Sequence, residues 1–410
     1  MKSFQFHLMP YPFLPGTDRD FTDTYASTWV DLPNELFDTQ RGHGIYQSYI
    51  NDMVWAEQVG MDGVCVNEHH QNAYGIMPSP NLIAAALSQV TSRVKVAVLG
   101  NAVPLLDEPQ KIAEEFAMLD QMLDGRLIAG LVIGTGMEYY SYGTNPTWAR
   151  ERYREGLALI LQAWTQPGPT QFQGEHFQNA YLNPWPRPKQ KPHPPVWVPG
   201  GTSLETMEMC VDNDFTYCIT VNPAKDGLRT AAETYMEVFK DRGKPYNPDK
   251  LAWLVPTYVT TSREAAEEEA HDAYRYFVRR LLLGFGGDGR VWTAPGYTSE
   301  RSRASAAERM RKITAGRGEA RPVWDDLDNG GVILAGDPDK VTKEFTELCT
   351  DYGVGHVLHL FRFGNLSEEL GRRSVQMYAQ QCLPRIREQV DKNLTQKWPA
   401  YTGQGAEWKF

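Results

Sequence analysis

The stretch Gly63-Val64-Cys65-Val66-Asn67-Glu68-His69-His70 starts as a short apolar strand and ends in polar, titratable residues. Its continuous apolar run is typical of a strand that is covered on both faces, as in a parallel sheet. In a barrel of alternating strands and helices, catalytic residues gather at the carboxyl ends of the strands. The stretch therefore predicts that Glu68, His69 and His70 lie at the mouth of such a barrel.

Seven further apolar runs alternate with amphipathic helical patterns along the chain. They are residues 4–8, 94–99, 127–133, 196–198, 215–220, 251–259 and 354–361. Eight strands that alternate with helices are the number expected of a (β/α)8 TIM barrel, an α/β fold. We therefore predict one barrel domain over residues 1–385, with insertions at about 9–44, 167–195 and 284–331, followed by a C-terminal tail over 386–410.

The composition is that of an acidic globular protein. Among 410 residues, Lys and Arg total 41 and Asp and Glu total 51, which gives a net charge of −10. The basic residues are dispersed, so the chain does not fit a nucleic-acid-binding protein. The simpler explanation of the negative net charge is that it keeps the protein in solution.

The distribution of apolar residues and cysteines bears on location in the cell. Residues 1–6 carry no apolar signal region, and no apolar run is long enough to span a bilayer. The five cysteines are widely spaced and form no CxxC pair, which is typical of reduced core residues. We therefore predict a cytoplasmic protein with no membrane partner.

The segment Gly200-Gly201-Thr202-Ser203 lies between a predicted strand and a predicted helix. The two glycines allow backbone amides to approach a ligand closely. The hydroxyls of Thr202 and Ser203 and the helix N-terminus would favour an anion such as a phosphate. The alternative is a tight turn in which Thr202 or Ser203 caps the helix. The segment alone leaves both interpretations open.

The histidines point to proton transfer more than to metal binding. The nine histidines lack metal-ligand spacing, and His356 and His359 fall on opposite faces of one strand, so we predict no metal site. His69 at the mouth, beside Glu68, fits a proton-handling role. For His70, a buried structural histidine is the competing interpretation.

Two further strand ends carry residues with a double interpretation. Asn101 offers a donor and acceptors to a planar heterocycle, but asparagine is also an ordinary turn residue. Gly134-Thr135-Gly136 could likewise contact a ligand or form an ordinary turn. It is not a dinucleotide fingerprint, because Tyr139 occupies the position of the third glycine.

Taken together, these segments resemble the bacterial luciferase-like flavin monooxygenase family. The resemblance covers most of residues 1–260 and, more loosely, 330–383. It rests on the segments Glu68-His69-His70 with Gly75, Val96-Ala97-Val98-Leu99-Gly100-Asn101, Glu108-Pro109, Leu119-Asp120-Gln121, Asp124-Gly125-Arg126, Gly134-x-Gly136 and Pro195-Val196-Trp197-Val198-Pro199-Gly200-Gly201-Thr202-Ser203.

The resemblance implies a barrel that uses reduced FMN, supplied by a partner flavin reductase that draws on NAD(P)H. Reduced FMN would react with O2 to give a flavin C4a-peroxide, which insertions 9–44 and 284–331 would shield from water. His69, with Glu68, matches the active-site histidine. The cofactor-binding positions it implies are Asn101, Lys111, Gly134, Tyr139, Gly200, Gly201, Thr202 and Ser203. Lys111 departs from the family, since luciferases carry a phosphate-contacting Arg there, and a non-proline cis peptide is expected near Asn101.

Several alternatives stay open at the level of sequence. The chain could be a relative that transfers hydride with a deazaflavin, which would share the barrel. It could also be a flavin-binding barrel without catalysis or a metal hydrolase. Aromatic residues near the strand ends predict a small apolar or aromatic organic substrate, unless they are ordinary packing residues. These are Trp29, Tyr139, Tyr140 and Tyr142. The resemblance also implies a homodimer or larger homo-oligomer.

Overall fold

Eight parallel strands close into a barrel in the computed structural model, which describes residues 1–201, 203–220, 225–282, 297 and 324–403. The strands in chain order are β1 (Lys2–Phe6), β2 (Gly63–Val66), β3 (Lys95–Ala102), β4 (Leu127–Val132), β5 (Thr170–Gln173), β6 (Gln178–Leu182), β7 (Val196–Gly200), β8 (Thr216–Ile219), β9 (Leu251–Val259), β10 (Leu334–Gly336) and β11 (His356–Leu360). Around the barrel the order is β1, β2, β3, β4, β7, β8, β9 and β11, and β11 pairs back with β1. The predicted TIM barrel is confirmed, and all eight predicted runs form its strands.

The barrel interior is filled by side chains that alternate along each strand. The rings of Phe4 and Trp197 lie 5.1 Å apart, and those of Trp197 and His356 lie 5.0 Å apart, although β7 and β1 are not neighbours. Gly63 pairs with Phe4, and a Cβ at Gly63 would lie 2.2 Å from the Phe4 ring. Glycine at this position therefore makes room for the aromatic centre of the barrel.

Helices cover the outside of the barrel. In chain order they are α1 (Asp18–Thr24), α2 (Thr39–Val59), α3 (Pro80–Val90), α4 (Pro109–Met122), α5 (Gly136–Tyr142), α6 (Ala149–Thr165), α7 (Leu204–Asp212), α8 (Lys225–Asp241), α9 (Arg263–Tyr276), α10 (Trp324–Asn329), α11 (Pro338–Tyr352), α12 (Glu368–Met377) and α13 (Leu383–Lys397). Helix α9 continues into a π-helical turn, Phe277–Leu281, and a second one, Tyr378–Cys382, joins α12 to α13.

Local sequence explains where several helices begin and end. Helix α2 ends at Gly60, which adopts φ 101°, a left-handed conformation that glycine accepts at no steric cost. Helices α4 and α11 begin at Pro109 and Pro338, where the missing N–H of proline is no loss. Asp337 caps α11 by accepting hydrogen bonds from the backbone amides of residues 339 and 340.

The structure differs from the predicted segments in four places. Residues 386–410 were predicted as a tail, but α13 extends to Lys397 because Ile386, Val390 and Leu394 form a buried stripe along it. The 167–195 insertion contains the antiparallel β5–β6 hairpin, and the 9–44 insertion includes α1 and the start of α2. β10, which pairs with β9, was not predicted. The 284–331 insertion lies outside the described residues except at 297 and 324–331.

Two predictions from composition can be compared with the fold. All five cysteines are among the described residues and all are buried, which confirms them as core residues. In the described part of the chain, no helix combines the length and apolarity that crossing a membrane requires.

Candidate active site

The carboxyl ends of β2 and β4 bring two histidines and two glutamates together. Glu68, His69 and His70 follow β2, and Glu138 lies in the first turn of α5, which begins shortly after β4. His69 Nδ1 lies 3.1 Å from Glu138 Oε1, and the same oxygen accepts a hydrogen bond from the His70 backbone N–H at 3.2 Å. The other oxygen, Oε2, accepts from the Thr135 backbone N–H at 2.7 Å. Three donors thus hold the Glu138 carboxyl group.

The environment of Glu138 keeps it ionised. Burial by itself raises the pKa of Glu138, but the hydrogen bond and charge of His69, the Thr135 amide and the charge of His70 outweigh burial and lower it. An ionised carboxylate can only accept, so the proton shared between Glu138 and His69 belongs on His69 Nδ1. The geometry therefore fixes both the ring orientation and the tautomer of His69.

The second ring nitrogen of His69 has a different environment. Among the described residues, none forms a hydrogen bond with His69 Nε2, and the side chain remains 17% exposed. A ring nitrogen that is not occupied by a protein hydrogen bond can accept or donate a proton. This property agrees with the role predicted for His69.

His70 is held at both ring nitrogens. Its Nε2 lies 2.9 Å from Glu68 Oε1, and its Nδ1 lies 3.0 Å from Tyr142 Oη. Burial lowers the pKa of His70, but the hydrogen bond and charge of Glu68 and the charge of Glu138 outweigh burial and raise it. His70 is therefore a buried, bonded histidine, and Glu68 is its partner and not that of His69.

A polar chain runs outward from Glu68. Asn101 Nδ2 donates to Glu68 Oε2 at 3.0 Å, and Asn101 Oδ1 accepts from Asn81 at 2.9 Å. Asn81 also donates to Glu115 at 2.6 Å, and Glu115 pairs with Lys111 at 3.3 Å. The chain joins two predicted cofactor residues, Asn101 and Lys111. The Asn101 amide is thus hydrogen-bonded within the protein, whereas the Lys111 side chain is 67% exposed.

The backbone beside Asn101 has the feature that the resemblance implied. The Leu99–Gly100 peptide bond is cis, and it precedes Asn101 directly. The cofactor contacts predicted for Asn101 and Lys111 remain predictions.

Two further predicted cofactor residues, Gly134 and Tyr139, lie between the end of β4 and the middle of α5. Tyr139 is fully buried and donates a hydrogen bond to the Ile133 carbonyl at 2.5 Å. Tyr297 donates to the Gly134 carbonyl at 2.7 Å. Tyr139 is thus a core residue in this structure, while Tyr140 and Tyr142 are exposed.

The turn between β7 and α7 holds the predicted phosphate residues, and Thr202 is outside the described part of the chain. A Cβ at Gly200 would lie 2.9 Å from the Tyr217 ring, and the Tyr217 hydroxyl donates to the Gly201 carbonyl at 2.7 Å. Ser203 is the N-cap residue of α7, but its side chain does not cap the helix. Its hydroxyl donates to Glu205 at 3.1 Å.

Part of the 9–44 insertion covers the histidine site. The fully buried Trp29 ring lies edge-on to His69 at 5.3 Å and stacks on Tyr74 at 5.2 Å, and Tyr74 itself lies 5.1 Å from His69. Arg280 holds this insertion in place through hydrogen bonds to the Leu14 and Gly16 carbonyls and to Asp18. The rings of Trp29 and Tyr74 therefore limit the access of water to His69.

Sequence reasoning missed several residues of this site, namely Tyr74, Glu138 and Arg280. Thr135-x-x-Glu138 has the spacing of a helix capping box, which could have identified a local role for Glu138. No local pattern connects Glu138 with His69. Metal binding has no structural support in the described part of the chain, where no three His, Cys, Asp or Glu side chains are placed to share an ion.

The site is thus a histidine–carboxylate pair at the carboxyl end of a parallel α/β barrel, an arrangement that can carry out acid–base chemistry. The sequence model of the family described as luciferase-like monooxygenase matches residues 38–355. The chain belongs to this family of oxidoreductases, and the resemblance inferred from its motifs is confirmed.

Curated relatives include more than one cofactor type. The oxygenase component of the flavin-dependent trigonelline monooxygenase from Acinetobacter baylyi is 28% identical over 285 residues, which cover 65% of this chain and 77% of that one. An F420-dependent glucose-6-phosphate dehydrogenase from Amycolatopsis mediterranei is 24% identical over 353 residues, 82% of this chain and 92% of that one.

Solved structures show the same fold at low sequence identity. The oxygenating constituent of 3,6-diketocamphane monooxygenase from Pseudomonas putida, a type II Baeyer–Villiger monooxygenase solved in complex with FMN, superposes with a TM-score of 0.68. It is 18% identical, and the match covers 94% of this chain and 98% of that one. The likeness supports the barrel architecture.

Proposed function

We propose that this chain is a monooxygenase that uses reduced FMN, supplied by a partner flavin reductase, and O2 to oxygenate a small apolar or aromatic organic substrate. The observation that carries the proposal is His69, a 17% exposed side chain whose Nδ1 is held by an ionised Glu138 and whose Nε2 has no hydrogen bond from the described residues. The trigonelline monooxygenase relative is named as an oxygenase component, which supports a separate reductase. The FMN bound in the camphane enzyme supports the choice of cofactor.

Part of the β7–α7 turn fits a phosphate group. Helix α7 spans nine residues, and the side chain of its N-cap residue does not cap it, so the positive end of the helix dipole would favour an anion there. Ser203 adds a hydroxyl, whereas the space beside Gly200 is filled by the Tyr217 ring. The Glu205 carboxylate, which accepts from Ser203, opposes an anion and would have to give up that hydrogen bond.

In the proposed reaction, the cofactor supplies electrons, and residues of the chain transfer the proton and exclude water. Reduced FMN, when bound, supplies the electrons with which O2 is activated. Glu138 keeps the proton on His69 Nδ1, so that His69 Nε2 gives or takes the proton at the reacting group. Trp29 and Tyr74 pack against His69 and limit the access of water to it, which strengthens electrostatic interactions in the site.

An anaerobic titration with reduced FMN, followed by mixing with aerated buffer, tests this proposal. We expect tight binding and a bound flavin whose absorbance returns to the oxidised spectrum more slowly than that of free reduced FMN. Weak FMN binding together with tight binding of a reduced deazaflavin would contradict the proposal. It would favour hydride transfer, the alternative that the F420-dependent relative supports. FMN binding with no oxygenated product from a panel of aromatic compounds would favour the non-catalytic barrel.

Comparison of FMN with riboflavin tests the phosphate turn separately. Thr202→Ala combined with Ser203→Ala should weaken FMN binding much more than riboflavin binding, because the lost contacts are to phosphate. Glu205→Gln is the opposite control, since it removes a negative charge beside Ser203 and should tighten FMN binding only. Equal changes for both ligands would place the phosphate elsewhere.

A further inference from the structure

Asn67 is a buried amide that the site described above does not use. It follows β2 directly and is only 6% exposed. Its Oδ1 is buried and accepts no hydrogen bond from the described residues. More than nine in ten buried polar groups in proteins have a partner, and leaving one unpaired is costly. An unpaired amide oxygen beside His69 therefore points to a missing donor.

The direction of the Asn67 side chain follows from the pairing of β1 and β2. Gly63 pairs with Phe4 and Cys65 pairs with Phe6, so these four positions share one face of the sheet. Because the Phe4 ring meets Trp197 from across the barrel, that face is the interior. Side chains alternate along a strand, so Asn67, two residues beyond Cys65, continues the interior row. It lies at the top of that row, where the barrel opens at the mouth.

We propose that the Asn67 amide binds the pyrimidine ring of the flavin, an inference that rests on the proposed function. A flavin pyrimidine ring presents an imide edge, an N–H flanked by two carbonyl groups. Asn67 Oδ1 accepts from that N–H, and Asn67 Nδ2 donates to a neighbouring carbonyl, because an asparagine amide carries both functions in one plane. A deazaflavin carries the same edge, so Asn67 recognises the ring and not the phosphate.

Replacement of the amide, with a matched control, tests this contact. Asn67→Leu removes both hydrogen-bonding functions, and Asn67→Ala does so without added bulk. Gln5→Leu is the control, since Gln5 is also a buried amide, 2% exposed, whose Oε1 lacks a described partner. Gln5 lies on the outer face of β1, against Trp55 and Arg372. It therefore cannot contact a ligand in the barrel mouth.

Riboflavin and FMN are the probes, with dissociation constants and the visible absorption spectrum of the bound flavin as readouts. For both Asn67 variants we expect about tenfold weaker binding of both ligands, on the scale of one or two lost hydrogen bonds, and a changed flavin spectrum. Gln5→Leu should alter neither. If the Asn67 variants bind both ligands within twofold of the wild type, the amide is not a cofactor contact.

The outcomes also separate this inference from the proposed function. Wild-type binding of FMN with unchanged binding by the Asn67 variants would reject the contact and leave the function in place. A wild-type protein that binds 5-deazariboflavin but not riboflavin would reject the FMN function. The contact would then stand if the Asn67 variants lose affinity for the deazaflavin ring and fall if they do not. Binding of neither ring by the wild type would reject both.

Discussion

His69 and His70 are neighbours in the chain, and each is paired with a glutamate. The two pairs differ in the sequence separation of the partners, in hydrogen bonding and in exposure. His69 is paired with Glu138, 69 positions away, whereas His70 is paired with Glu68, two positions away. His70 has a partner at both ring nitrogens, and its side chain is 7% exposed. His69 has a described partner at Nδ1 only and is 17% exposed.

The difference teaches which histidine is free to react. A ring with both nitrogens bonded must break a hydrogen bond before it can exchange a proton with a substrate. A ring held at one nitrogen is already oriented, and its other nitrogen is available. His69 is therefore the residue we expect to act in catalysis, and His70 the residue we expect to hold the site together.

The largest expected effect comes from replacing each histidine in turn by glutamine. His69→Gln should lower kcat about 10²–10⁴-fold, the usual contribution of a general acid or base, with FMN binding unchanged. His70→Gln should mainly lower the thermal unfolding temperature and should change kcat much less than His69→Gln does. The measurements are kcat, on a substrate found by screening aromatic compounds, and thermal unfolding. Equal turnover of the two variants would remove the distinction between the histidines.

The two carboxylates extend the comparison to stability. Each carboxylate has three hydrogen-bond partners, but the Glu138 side chain is 1% exposed and the Glu68 side chain is 13% exposed. Glu138→Gln should cost about 1–3 kcal/mol of unfolding free energy, the usual penalty for a disrupted buried hydrogen bond. We expect a smaller loss for Glu68→Gln in urea denaturation. A larger loss for Glu68→Gln would reverse the proposed ranking.

The pH dependence of stability should separate the pairs in opposite directions. The pKa of His70 is raised above its ordinary 6.5, so its ion pair stabilises the fold fully below pH 6.5 and is lost as pH rises through the raised pKa. The pKa of Glu138 is lowered below its ordinary 4.5, so its contribution is present above pH 4.5 and is lost as pH falls through the lowered pKa. Unfolding free energies of the wild type, His70→Gln and Glu138→Gln across this range give the measurement. The advantage of the wild type over His70→Gln should shrink in alkali, and that over Glu138→Gln should shrink in acid.

The smallest effect should come from Tyr142, whose hydroxyl lies beside His70 at the edge of the site. Its side chain is 42% exposed, so water can replace the lost hydroxyl in part. Tyr142→Phe should therefore cost about 0.5–1.5 kcal/mol of stability, the net value of an ordinary hydrogen bond, and leave kcat within a few-fold of the wild type. A loss of turnover as large as that of His69→Gln would instead make His70 part of the catalytic proton path.

The fold was more predictable from sequence than the site. The apolar run 251–259 matches strand β9 at both ends, because the boundary between a buried strand and a polar loop depends on the local sequence. Residues 386–397 were misassigned as a tail since Ile386, Val390 and Leu394 are isolated within a charged sequence. Their burial depends on the α11 surface beneath them, which no local pattern describes.

The sequence by itself determined the eight alternating strands, the family and the position of His69 at a strand end, because strand periodicity and strand-end chemistry are short-range properties. The tertiary structure decided which carboxylate serves which histidine, that Asn101 is bonded to Glu68, and that Trp29 covers His69. These contacts join residues that are tens of positions apart. Their geometry depends on how the closed barrel brings separate strand ends and loops to one mouth, and that closure is a property of the whole chain.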